Sequence, residues 1–367
     1  MAGFRYVTPV DPQVATGRVA QVYAQFADEV GMARMPVFLT LSPAPEVLAA
    51  TWATLRESLL TGNAPRTGKE LVALGVSMAN KCPFCVAAHT TFLHATGDHR
   101  LGEAVAGGGT PPDPAQARLL DWAKAREGGL PRPFTAELAP EYVGTALAFH
   151  FINRMVSALL TENLLPANLQ KSRLVRGVGG LALARKTRRR ATPGLSLPLI
   201  DGLPALPEPA WGAGTPVGSA YAVLGAVAGA GGELLGEAGR AAVTGAVGDW
   251  DGSHPPLGED WLDQPLAGLP AGERPGARIA LLAALAPYRL TDADVAAWRE
   301  SRADADVAAW RDSGADADVT ASRGSGADED LVRLCAFGAM RGTERTAAII
   351  GEPSVATTEA PTWGDRS

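Results

Sequence analysis

The chain reads as an all-α protein, and three observations predict it. Ala, Leu and Gly dominate a composition that is 46% hydrophobic but only 6% aromatic, a profile that favours helices packed on helices. Apolar residues recur at helical spacing, as at Val19, Val22, Tyr23 and Phe26, rather than in the alternation a half-buried strand needs. Glycines and prolines fall between these stretches and mark where helices stop. At 367 residues the chain exceeds one ordinary core, so two lobes are expected. A net charge of −6 implies no general attraction to nucleic acid or to an anionic membrane.

In chain order, residues 1–12 form an extended arm interrupted by two prolines, without the long apolar segment of a secretory signal. A first amphipathic helix runs from Val14 to Val30 and stops at Gly31. Ser42 can cap a second, with Pro43 inside its start, running through Trp52 and Leu59 to Gly62. Thr67 stands three residues before Glu70, which makes Glu70 the acidic partner of a capping box. That helix should break near Asn80, because Pro83 lacks a donor and disfavours helix in the residue before it. A new helix opens at Cys82 with Pro83 as its first residue and stops at Gly97.

Cys82, Cys85 and His89 stand at i, i+3 and i+7, on one face of this helix. Glu70 reaches them from the preceding helix of a hairpin. A thiol at a helix N-terminus is drawn toward thiolate, and Cys82 gains most. A pKa drop of about two units raises the thiolate fraction at pH 7 roughly 25-fold, yet the weaker nucleophilicity of the more acidic thiol returns about 8-fold. A base for the thiol proton therefore matters more than the dipole. His89, one turn from Cys85, fits that role, and Glu70 fits the role of orienting its imidazole.

Three other readings compete. Zinc would need a ligand beyond Cys82, Cys85 and His89. A thioredoxin-like site would need a buried strand before CPFC, where helical spacing stands instead. Two structural buried thiols are the third. Three cysteines in all are too few for a secreted disulfide framework, so the pair points to redox work in the cytoplasm.

The spacing Glu70-x11-Cys82-x2-Cys85-x3-His89, within MANKCPFCVAAHTTFLHATGDHRLGEAV, resembles the alkylhydroperoxidase AhpD branch of the carboxymuconolactone decarboxylase superfamily. The resemblance covers about residues 10–165. It implies an AhpD-like helical bundle in which Cys85 attacks the peroxide, Cys82 resolves the sulfenic acid as a disulfide, and His89 and Glu70 relay the proton. Members commonly carry a histidine between the cysteines, where this chain has Phe84. A thiol-dependent peroxidase acting on hydrogen peroxide or organic hydroperoxides follows as the expectation, with a general thiol-disulfide oxidoreductase or a non-enzymatic redox-sensing module as alternatives. The implied partner is a dithiol electron donor such as a lipoyl domain or thioredoxin-like protein; no cofactor, metal, nucleic acid or membrane is expected. Related proteins form homo-oligomers, though a fused second lobe can bury the surface a partner subunit would cover.

Beyond the motif, His94 and His99 read as surface or capping residues, with His99 placed to rim the pocket. A helix through Leu120 and Trp122 follows. Pro140 then opens a strong helix whose apolar stripe should pack under the cysteine helix, with His150 buried and satisfied by a neighbour. Residues 1–165 form the catalytic lobe, and 166–212, basic then rich in proline and leucine, the connection. Residues 213–350 form a C-terminal helical lobe. The apolar stretch from Thr215 to Gly232 falls short of the ~20 residues of a spanning helix and reads as soluble. That lobe reads as a degenerate copy of the first, pairing Arg118 with Arg278 and Phe149 with Phe337, with WDGSHPP where the motif would fall. A tandem repeat of period 12 near 292–327, beginning ADVAAWRESRAD, reads as an exposed insertion of short helical turns. Cys335 reads as a buried inert thiol, and 351–367 as a tail.

Overall fold

The computed structural model describes residues 3–32, 34–126, 130–161, 172–313 and 325–350. Among these the secondary structure is helical, with an isolated bridge between Phe4 and Leu160 in place of any sheet. The helices are α1 (Gly17–Val30), α2 (Pro36–Leu41), α3 (Pro45–Leu55), α4 (Arg66–Ala79), α5 (Pro83–Thr96), α6 (His99–Ala106), α7 (Pro114–Lys124), α8 (Ala139–Leu159), α9 (Arg173–Thr187), α10 (Pro216–Ala230), α11 (Glu237–Gly248), α12 (Asp260–Leu266), α13 (Arg274–Leu285), α14 (Asp292–Ser313) and α15 (Ser325–Ile350). The all-α expectation holds.

Two pairs form the centre: α8 packs on α15, and α3 on α10. Helix α4 flanks α8 and carries α7 against itself, while α11 and α13 flank α15. The stretches aligned by internal similarity fall on α7 and α13 and on α8 and α15. Arg154 ties these layers, its Nε donating to Ala284 O at 2.8 Å and its Nη1 to His150 O at 2.8 Å. The small residues of α10 serve close packing, with Ala220, Leu224 and Ala228 fully buried. With the turn that follows, Pro216–Leu234 is the one stretch among the described residues long and apolar enough to cross a membrane, and it sits inside the bundle.

Several local expectations are corrected. Helix α3 starts at Pro45, and Ser42 instead donates to Leu39 O and accepts from Val10 N. It runs on through a π-turn at Arg56–Leu60. Helix α4 starts one residue before Thr67, whose hydroxyl goes to Asp98, so no capping box involves Glu70. The basic stretch read as a connection holds α9, which lies along α5. Its contact face is glycine: a Cβ on Gly180 would come within 2.5 Å of His94 Cβ. The first repeat unit continues as unbroken helix α14, because Val295 and Trp298 are buried and anchor it. Residues 314–324 of the repeat region and the tail 351–367 lie outside the described residues. Cys335 is fully buried, and burial pushes its pKa up to about 12.

Candidate active site

The α4–α5 hairpin brings the four motif residues together. Lys69 and Glu70 are consecutive on α4 and so point about 100° apart. Lys69 reaches α8, its Nζ 2.9 Å from Glu141 Oε2, which turns Glu70 toward α5. At the hairpin turn Lys81 takes a left-handed φ of 52°. Cys82 then serves as the N-cap of α5 with Pro83 at its first position, and Gly97 closes the helix at φ 108°.

Glu70 is wholly buried. Its Oε2 lies 2.7 Å from His89 Nδ1, and its Oε1 accepts from Arg66 Nε at 2.8 Å. Burial raises its pKa, but Arg66 and the His89 hydrogen bond outweigh that, leaving it below the usual carboxylate range. An ionised Glu70 can only accept, so Nδ1 carries the proton and Nε2 is left as the basic nitrogen of His89. The imidazole is held edge-on by Phe149 of α8, with ring centroids 4.3 Å apart. Helix α8 thus meets the cysteine helix through Phe149 while packing along α4 and α15, rather than lying beneath α5 along its length.

Cys82 and Cys85 are both buried thiols. Burial pushes the Cys85 pKa well above its ordinary value, and a hydrogen bond with Cys82 adds to the rise. A protonated resting thiol needs a base before it can attack.

The two sulfurs face different spaces. Cys85, with His89, Phe84, Phe92, Phe149 and Ile152, lines a largely apolar cavity of about 620 Å³ bounded by α2, α3, α5, α8 and α9. Cys82 instead lines two smaller cavities. One, of about 210 Å³, lies beside Arg5 and Tyr288; the other, of about 510 Å³, lies beside Met78, Thr90 and Glu103. Phe84 stands on the wall of both the apolar cavity and the 210 Å³ one. No three His, Cys, Asp or Glu side chains come together as a metal site among the described residues.

Three further histidines are held by contacts within the fold. His94 is buried and bonds Glu103 at 2.9 Å, correcting its reading as a surface residue. His99 meets His94 edge-on, with ring centroids 4.8 Å apart, rather than rimming the cavity. His150 accepts from Asn80 Nδ2 at 3.2 Å, but its Nε2 has no partner among the described residues, so it is satisfied on one side. Arg66 is the residue that motif reading missed. Its position four residues before Glu70 on a helix was the available signal.

The geometry can be set beside known proteins. A sequence profile described as the carboxymuconolactone decarboxylase family matches residues 45–130, which span α3 to α7. The chain is 40% identical over 299 residues to alkyl hydroperoxide reductase Rv2159c of Mycobacterium tuberculosis, an alignment covering 80% of this chain and 86% of that protein. No solved structure matches the chain.

Proposed function

Because the chain belongs to the carboxymuconolactone decarboxylase family, in its AhpD-like alkyl hydroperoxide reductase branch, we propose that it reduces organic hydroperoxides through a Cys82–Cys85 disulfide. The observation that carries this is the division of the sulfurs: Cys85 and His89 open on the apolar cavity, and Cys82 opens on separate ones.

In the proposed cycle His89 Nε2 takes the Cys85 proton, and the Glu70 carboxylate stabilises the imidazolium. The Cys85 thiolate attacks the terminal peroxide oxygen. The O–O bond breaks, the alkoxide takes the proton back from His89 and leaves as an alcohol, and Cys85 becomes a sulfenic acid. The Cys82 sulfur then displaces water from Cys85, forming the disulfide. A dithiol donor returns two electrons and two protons by thiol-disulfide exchange, entering at Cys82.

The cavity favours organic hydroperoxides over hydrogen peroxide. Its volume of about 620 Å³ lies in the range of drug-sized ligand pockets, far beyond the ~30 Å³ of a water-sized molecule. Cys82 is only 1% exposed, which favours a slender arm such as a lipoyl group over exchange with the disulfide of a folded protein. A cytoplasmic setting, where such donors stay reduced, fits this chemistry.

The test is stopped-flow oxidation of the reduced protein by cumene hydroperoxide. Cys85→Ser should abolish the reaction, and His89→Ala should slow it by about 10²-fold or more, the scale of general base catalysis. Oxidation of Cys85→Ser at the wild-type rate would reject the assignment.

A further inference from the structure

We propose that the outward face of α9 seats the protein on an anionic lipid surface. Leu174, Val178 and Leu181 are 76%, 63% and 80% exposed, an unusual burden for three large apolar side chains on one soluble helix. Their spacing of four and three residues aligns them in a single stripe. One turn on, the same stripe meets Arg185, also exposed, and the helix is capped by Arg188, whose Nε donates to Ala95 O, and followed by the exposed Arg189 and Arg190. An apolar stripe that runs into a row of cations is the pattern of a helix lying in a bilayer interface.

The inner face of α9 is already committed. Gly180 packs against His94, and Val175, Gly179 and Leu183 line the apolar cavity. The stripe is therefore spare to the fold. Two carboxylates lie nearby: Asp28 is held by Lys186 at 3.0 Å and also feels Arg189, and Glu103 is held by Arg176 and His94, which leaves Arg185 of the stripe without an ion pair among the described residues. A second copy of this acidic chain would have to supply carboxylates matched to each arginine, whereas a bilayer presents phosphates at any register. The net charge of −6 conceals this local surface.

A lipid seat would put a wall of the hydroperoxide cavity against the place where apolar hydroperoxides partition. That consequence rests on the proposed function; the binding itself does not, and loss of one leaves the other standing.

The experiment is co-sedimentation of the full chain with vesicles of phosphatidylcholine alone and with 30 mol% phosphatidylglycerol, at low and high salt. Binding to the anionic vesicles should weaken with salt. Arg185→Gln should lower partitioning about fivefold, the worth of one cation near such a surface, and Leu181→Asp should lower it by at least as much. Neither residue lines the cavity, so both variants should keep wild-type melting curves and cumene hydroperoxide turnover. Equal recovery on neutral and anionic vesicles, or variants that bind as wild type, would overturn the proposal. So would absence of vesicle binding with Leu181→Asp converting an oligomer to a smaller species in sedimentation velocity, which would assign the stripe to a second copy of the chain.

Discussion

His89 Nδ1 lies 2.7 Å from Glu70 Oε2, and the other oxygen of that carboxylate meets Arg66. One buried side chain thereby fixes the tautomer of the imidazole and couples the cysteine helix to the helix before it. Carboxylates that orient a metal-ligating histidine in this way are worth about 10-fold to 100-fold when removed, and the same scale is expected for one that orients a base. Glu70→Gln should reduce the rate of Cys85 oxidation by that factor without changing KM for the hydroperoxide, measured by steady-state kinetics.

The same carboxyl makes stability depend on pH. Its pKa is lower in the folded state than in the unfolded chain, so it contributes stability above the unfolded value of about 4.3 and loses it as pH falls through the folded one. Urea unfolding of wild type and Glu70→Gln should show a gap at pH 7 that narrows by pH 3.5. A gap independent of pH would mean that Glu70 is not ionised in the fold.

The apolar cavity predicts selectivity. Val175 lines it from α9, across from the cysteine helix against which α9 packs. Val175→Trp should fill part of the space and lower kcat/KM for cumene hydroperoxide about 10-fold, the effect of a lost ~1.4 kcal/mol of binding, with hydrogen peroxide turnover unchanged. Equal losses on both substrates would show that the cavity does not hold the substrate.

Away from the site, Arg56 is fully buried on the π-turn and pairs with Glu29 at 2.8 Å and Glu57 at 2.5 Å. Glu57 in turn accepts from Ser196 Oγ and Gly194 N, fastening the segment after α9. Removing one member of a buried ion pair costs about 3–5 kcal/mol. Arg56→Met should lower unfolding stability by about that amount, and Arg56→Met/Glu57→Gln should recover part of it, measured by urea denaturation.

Much of the site was legible because local rules governed it. Pro83 and Gly97 delimit α5, and helical spacing put Cys82, Cys85 and His89 on one face. The pairing of Glu70 with His89 followed from the hairpin, although a capping box competed until the helix start moved to Arg66. What escaped notice depends on contacts distant in sequence. The glycines of α9 read as a linker, yet they make its fit against α5. The first repeat unit read as short turns, yet burial of Val295 and Trp298 holds it in the single helix α14. Phe149 reaches His89 from α8, a contact that periodicity alone cannot specify. The cavity itself is assembled by α2, α3, α5, α8 and α9, which no motif joins.

The division of labour between the sulfurs is tested most directly by trapping the first oxidation product. Reduced Cys82→Ser is treated with one equivalent of cumene hydroperoxide and dimedone, then mapped by mass spectrometry, with wild type and Cys85→Ser in parallel. The relay predicts a dimedone adduct on Cys85 in Cys82→Ser, a Cys82–Cys85 disulfide in wild type, and no adduct in Cys85→Ser. An adduct on Cys82 in Cys85→Ser, with none on Cys85 in Cys82→Ser, would contradict it.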